Sequence, residues 1–293
     1  MRKGARVAAA AAALAVVALA AVPALADQAA LKHAGDAVPG HPGLTYADLV
    51  RRAVPDLALN PADQQLEGHF KAPPRHLAGE EFQADPSEPA VLGFVEDRRI
   101  LVGGKKRIAL LADLGGKEGR IEGLALLMLF DDTGSTPTLL DAADVGIDKD
   151  TAFADQAVLP LGPGDAALVT WSEHDDADLT MGGYMVVSPV GDHLSQVAQI
   201  ELTSENLCSW HARERARFAT APDPAAPYRQ IEATVTAAVT HTGQAGCNDE
   251  RHPPAATRVF HAAWRWNAAA RRFDPAGSTL DGLDALNKKL FGQ

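Results

Sequence analysis

Residues 229–241 read RQIEATVTAAVTH. Ile231, Ala233, Val235, Ala237 and Val239 share one parity, while Glu232, Thr234, Thr236 and Thr240 occupy the other. A period of two with one apolar and one polar side describes a half-buried strand, and such strands belong to antiparallel sheets. This stretch sets the expected fold class: mainly β (α+β), an antiparallel β-sheet or sandwich body. Downstream the pattern recurs, with Phe260, Ala262, Trp264 and Trp266 on one face and Asn267 to Arg271 turning the chain back toward Phe273. Upstream, Leu194 to Leu202 alternates, and Val91 to Val95, Ile100 to Val102 and Arg107 to Leu114 are short apolar runs between turns. Leu124 to Phe130 is continuously apolar, as a strand buried on both faces requires. No repeat of 20–50 residues accompanies these strands, so a propeller or solenoid is not supported.

The ends of the chain differ from this body. From Asp27 to about Pro89 the sequence carries eight prolines and little periodicity, so residues 27–89 read as a Pro-rich extended arm lying on the main body. One short helix is expected within it: Thr45 is placed to cap, Asp48 sits at the box position, and Pro55 ends the helix. The C-terminus predicts a second, capping helix. Ser278 serves as its N-cap, Leu280, Leu283, Leu286 and Leu290 share one side, and Gly292 stands at its end. Residues 90–293 are therefore expected to be a single β-rich domain closed by that helix.

The first 26 residues have the form of a cleaved export signal. Arg2, Lys3 and Arg6 precede an Ala/Val/Leu run from Val7 to Val22, and Ala24-Leu25-Ala26 supplies a small-x-small cleavage site. Removing them leaves 267 residues and shifts the formal net charge from -11 to -14. A chain this acidic lacks the basic face that nucleic acid demands, and no later apolar run reaches membrane length. Periplasmic or secreted localisation is expected, with no stable membrane insertion after cleavage. Cys208 and Cys247 are the only cysteines and are expected to pair in an oxidising compartment. Closing that loop of about 40 residues would stabilise the fold by roughly 4 kcal/mol.

Two clusters carry chemistry. His174, Asp175, Asp176 and Asp178 lie in an acidic stretch between two strands, where a loop would converge oxygen and imidazole ligands on a divalent cation. A solvated hairpin loop is the simpler reading. Further acidic groups, at Asp131, Asp132, Asp141, Asp144, Asp148 and Asp150, would reinforce a cation site if they gathered at one end of the sheet. His211, Arg213, Arg215 and Arg217 alternate with other residues and would present an anion-binding row. Glu214 interrupts that row, and a charged edge strand explains it equally well.

Nucleophile elbows, HExxH, P-loop and S-x-x-K motifs are all missing from the sequence. The expectation is therefore an exported, non-catalytic binding or envelope-associated protein whose partner is a small molecule or an envelope protein. No cofactor is expected beyond a divalent cation at the acidic stretch. Two alternatives compete with it: a metal-assisted hydrolase using that His/Asp stretch, and an inhibitor or accessory subunit of another envelope protein.

Overall fold

The structure, a computed structural model, describes residues 33–78, 88–115, 123–277 and 280–291. The leader at 1–26 lies outside the described residues, as do Ser278 and Gly292.

Residues 33–78 and 88–92 make a layer of their own. Helix α1 (Tyr46–Val50) begins at the expected cap. The Thr45 hydroxyl accepts from Asp48 N at 3.3 Å while the Asp48 carboxylate accepts from Thr45 N at 2.9 Å. Strands β1 (Ala58–Leu59), β2 (Leu66–Gly68) and β3 (Ala90–Leu92) form a small antiparallel sheet beside it. Strands of two or three residues leave no alternation to read, which is why the sequence showed only an extended arm.

Strands β4 (Val95–Val102), β5 (Lys105–Asp113), β6 (Ala125–Asp131) and β7 (Thr138–Asp144) follow as a four-stranded antiparallel meander. Its central strands are buried on both faces. Ile108, Leu110, Leu126, Met128 and Phe130 pack against α1, Val54 and Phe70. Ala109, Leu111, Leu127 and Leu129 pack the other way, against Phe153, Leu168, Met185 and Val187. The unbroken apolar run at 124–130 follows directly from this double burial.

The second face rests on an eight-stranded antiparallel sheet: β8 (Asp150–Gly162), β9 (Asp165–Asp176), β10 (Leu179–Ser188), β11 (Ser195–Asn206), β12 (Trp210–Ala221), β13 (Gln230–His241), β14 (Ala256–Asn267) and β15 (Arg272–Pro275). The strands succeed one another in chain order. The sheet curls, bringing β8 close to β12 and β13, and Arg229 N donates to Leu161 O at 2.8 Å across that approach. Gly182 and Gly183 allow close packing on both sides of β10: a Cβ at Gly182 would stand 2.4 Å from the Trp171 ring, and one at Gly183 2.4 Å from Ile147. Helix α2 (Asp281–Phe291) covers the far face of the curled sheet, with Leu283 and Leu286 in the same core as Ile231, Val235 and Trp264. The mainly β class, the antiparallel pairing and the closing helix all match the sequence pattern. Among the described residues no helix is long and apolar enough to cross a membrane.

Candidate functional site

The acidic stretch is not the loop expected of it. Residues through Asp176 belong to β9, and only Ala177 and Asp178 turn the chain into β10. Strand alternation therefore separates the four side chains, placing His174 and Asp176 on one face and Asp175 on the other. His174 Nδ1 meets Asp148 Oδ1 at 2.6 Å, and the Thr180 hydroxyl donates to Asp175 at 2.6 Å. Asp178 contributes a backbone contact, its carbonyl accepting from Asn206 N.

Four of the other acidic groups are likewise dispersed, each against a base. Asp132 holds His41 at 2.6 Å and Arg99 at 2.7 Å, Asp131 holds Arg107 at 2.9 Å, and Asp141 holds Arg75 and His193 at 2.9 Å each. Asp144, almost fully buried, pairs with His76 at 2.8 Å and accepts the backbone N–H groups of Ala125 and Gly146. Among the described residues no three His, Cys, Asp or Glu side chains stand together as a metal site.

The basic row lies on β12 as the alternation implied. His211, Arg213, Arg215 and Arg217 share one face, and the three arginines are exposed, opposite Ala238, Thr236 and Thr234 of β13. Glu214 does not interrupt that row, because it points to the other face with Trp210, Ala212 and Phe218. It is 7% exposed. A carboxylate at an apolar parity was the signal the sequence offered at this site.

Glu214 sits where the sheet opens. Strands β11 and β12 pair only at Glu205–Ala212 and Asn206–His211, then separate. Past that point Thr203 N has no strand partner and donates instead to Glu214 Oε2 at 2.9 Å. Asn287, buried on α2, donates to the same oxygen at 3.2 Å. Among the described residues, Glu214 Oε1 and Asn287 Oδ1 have no hydrogen-bond partner. Burial pushes the Glu214 carboxyl up to about 7, helped by the charge of Asp284 and opposed by the Thr203 and Asn287 hydrogen bonds.

A cleft of about 280 Å³ lies over this carboxyl. Its walls are Ala212, Ala237 and Val239 from the sheet, Leu286, Leu290 and Phe291 from α2, and Pro253 and Pro254 from the β13–β14 loop. That loop is fixed by the Cys208–Cys247 disulfide, by Asp249 accepting from Ser209 N at 2.6 Å, and by Trp210 Nε1 donating to Arg251 O at 2.8 Å. Arg251 bonds Glu205 at 2.5 Å and the Leu290 carbonyl at the end of α2. Arg258 and Lys289 also border the cleft, are exposed, and have no carboxylate partner among the described residues, whereas Arg213 contributes its backbone and turns its side chain to the other face of β12. The arrangement offers apolar walls, unneutralised cations at the rim and a buried carboxyl at the inner end.

No protein-family model matches the chain, and neither the curated proteins nor the solved structures contain a significant match to it.

Proposed function

We propose that this chain is an exported, non-catalytic binding protein that holds a small amphipathic anion in the cleft between α2, β12–β14 and the disulfide-fixed loop. The observation that carries the reading is the rim: Arg258 and Lys289 stand at an apolar hollow with no carboxylate among the described residues to neutralise them. On a chain of net charge -11, such a local excess of positive charge supplies the attraction for an anionic group. Pocket sites of this kind combine apolar walls with a few polar groups that fix orientation. The volume lies at the lower end of small-molecule pockets, which run from roughly 300 to 1,000 Å³, and suits a short-chain acid. Export rests on the leader at 1–26, and the disulfide is in keeping with an oxidising compartment.

Isothermal titration with hexanoate and hexanol tests the reading. Hexanoate should bind, hexanol should bind at least several-fold more weakly, and Arg258→Ala/Lys289→Ala should weaken hexanoate by about tenfold, or roughly 1.4 kcal/mol. Equal affinity for the acid and the alcohol, or no effect of the double substitution, would reject it.

A further inference from the structure

Resting on the cleft being a ligand site, we infer that its inner end is a receptor for a primary amine, so that the ligand carries an ammonium group opposite the acid held at the rim. At the buried end of the cleft, the ionised form of Glu214, with Asn287 bonded behind it, is short of donors. Glu214 lines the hollow, is 7% exposed, and keeps one carboxylate oxygen without any partner. Asn287, bonded to the other oxygen of the same carboxylate, leaves its own Oδ1 unpartnered. Buried polar atoms left unpaired are costly, and once Glu214 is ionised these two acceptors define the chemistry of what would relieve them. A hydroxyl brings one donor, whereas an ammonium brings three and a compensating charge.

The protein does not supply that charge itself. Arg251, the cation held in the cleft wall, is committed to Glu205 and to the carbonyl of Leu290. The other charged groups around this end are Asp284 and Lys289 on α2, Glu205 on β11 and Arg258 on β14. Of these, Asp284 disfavours the Glu214 carboxylate, which makes an incoming cation still more welcome. Because Glu214 titrates near neutrality, an ammonium that favours its charged form must expel the proton resident there below pH 7. Binding of the amine is therefore coupled to proton release.

The probes are hexanoate, hexylamine and 6-aminohexanoate, titrated into the full-length folded protein at about pH 6 in two buffers of different ionisation enthalpy. The expected result is that 6-aminohexanoate binds at least about tenfold tighter than hexanoate and releases protons, while hexanoate does not. In Glu214→Gln the two ligands should bind equally, with no proton release. If 6-aminohexanoate binds no tighter than hexanoate to the unaltered protein, the amine receptor is wrong and the anion reading survives. If hexanoate fails to bind at all, the anion reading fails. Tight binding of hexylamine with proton release would then still uphold the receptor, and its absence would reject both. Should Glu214→Gln fail to fold, the proton release of the unaltered protein decides.

Discussion

The four-stranded sheet and the β12–β14 end of the curled sheet handle charge in opposite ways. Around β4–β7, Asp131, Asp132, Asp141 and Asp144 each have a basic partner, and the pairs with His41, Arg75, His76 and His193 tie the N-terminal layer and the second sheet to the meander. Around β12–β14 and α2, Arg213, Arg258 and Lys289 have no acidic partner among the described residues, and Glu214 and Asn287 keep orphan oxygens. Charge in the first region is consumed in joining layers. In the second it is left unpaired among the described residues. The contrast separates residues whose loss should cost stability from residues whose loss should cost binding.

Asp144→Ala should give the largest effect. Its carboxylate is the acceptor for Ala125 N, Gly146 N and His76, so removal strands three donors, two of them on buried backbone. At roughly 1–3 kcal/mol for each unsatisfied group, the loss should reach about 5 kcal/mol in denaturant unfolding. Asp144→Asn, which keeps an oxygen for the two backbone donors, should cost less than half of that. Equal losses for the two variants would mean that the backbone bonds are not what Asp144 contributes.

Cys208→Ser/Cys247→Ser comes next. The chain-entropy value for this loop is about 4 kcal/mol, but its bearing on the comparison is local. The bond holds the segment that carries Arg251, Pro253 and Pro254 over the cleft. Ligand affinity should therefore fall along with stability, and hydrogen exchange should rise in residues 242–255 while β5 and β6 remain protected. Uniform loss of protection across both sheets would count against a local role.

How much of this was legible follows from the same contrast. The strand at 230–241, the strand at 256–267 with its return at Phe273, the Thr45–Asp48 box and the buried run at 125–131 all announce themselves through period or turn chemistry. The acidic pairings do not, because His41–Asp132 and His76–Asp144 join residues 91 and 68 positions apart, and composition says nothing about who meets whom. The alternation that revealed the arginine row also placed Glu214 among apolar residues, yet a single charge in a basic stretch reads first as an interruption. Only the opening between β11 and β12 explains why a carboxylate belongs there, since it caps a backbone donor that the ladder abandons.

Glu214→Gln gives a pH-dependent effect of about 3 kcal/mol. In the folded chain the carboxyl lies near 7 against an ordinary 4.5, so the native state holds its proton more tightly than the unfolded state. Its contribution to stability is present below pH 4.5 and is lost as pH rises through 7, by roughly 3 kcal/mol in all. The glutamine retains an acceptor for Thr203 N and carries no proton to lose. The fall in stability between about pH 4 and pH 8 should therefore be smaller in the variant by that amount. Asp113, which burial pushes up to about 6, adds a fall of the same sign that both proteins share. Parallel stability profiles for the two proteins would place Glu214 in a wetter setting than the cleft floor described above.

The smallest expected effect tests the comparison most directly. Arg258→Ala and Lys289→Ala remove exposed cations that pair with no carboxylate, so each should change stability by no more than about 0.5 kcal/mol. Arg107→Ala removes a cation of the same formal charge from the other region, 2% exposed and bonded to Asp192 through two nitrogens and to Asp131 through a third contact. Its loss should cost about 2–3 kcal/mol, below the full penalty of a buried pair because both carboxylates can turn to solvent. Together the three variants ask whether a cation belongs to the fold or to a ligand. A loss above 1 kcal/mol at Arg258 or Lys289 would assign the rim to the fold and remove the reason for expecting an anion there.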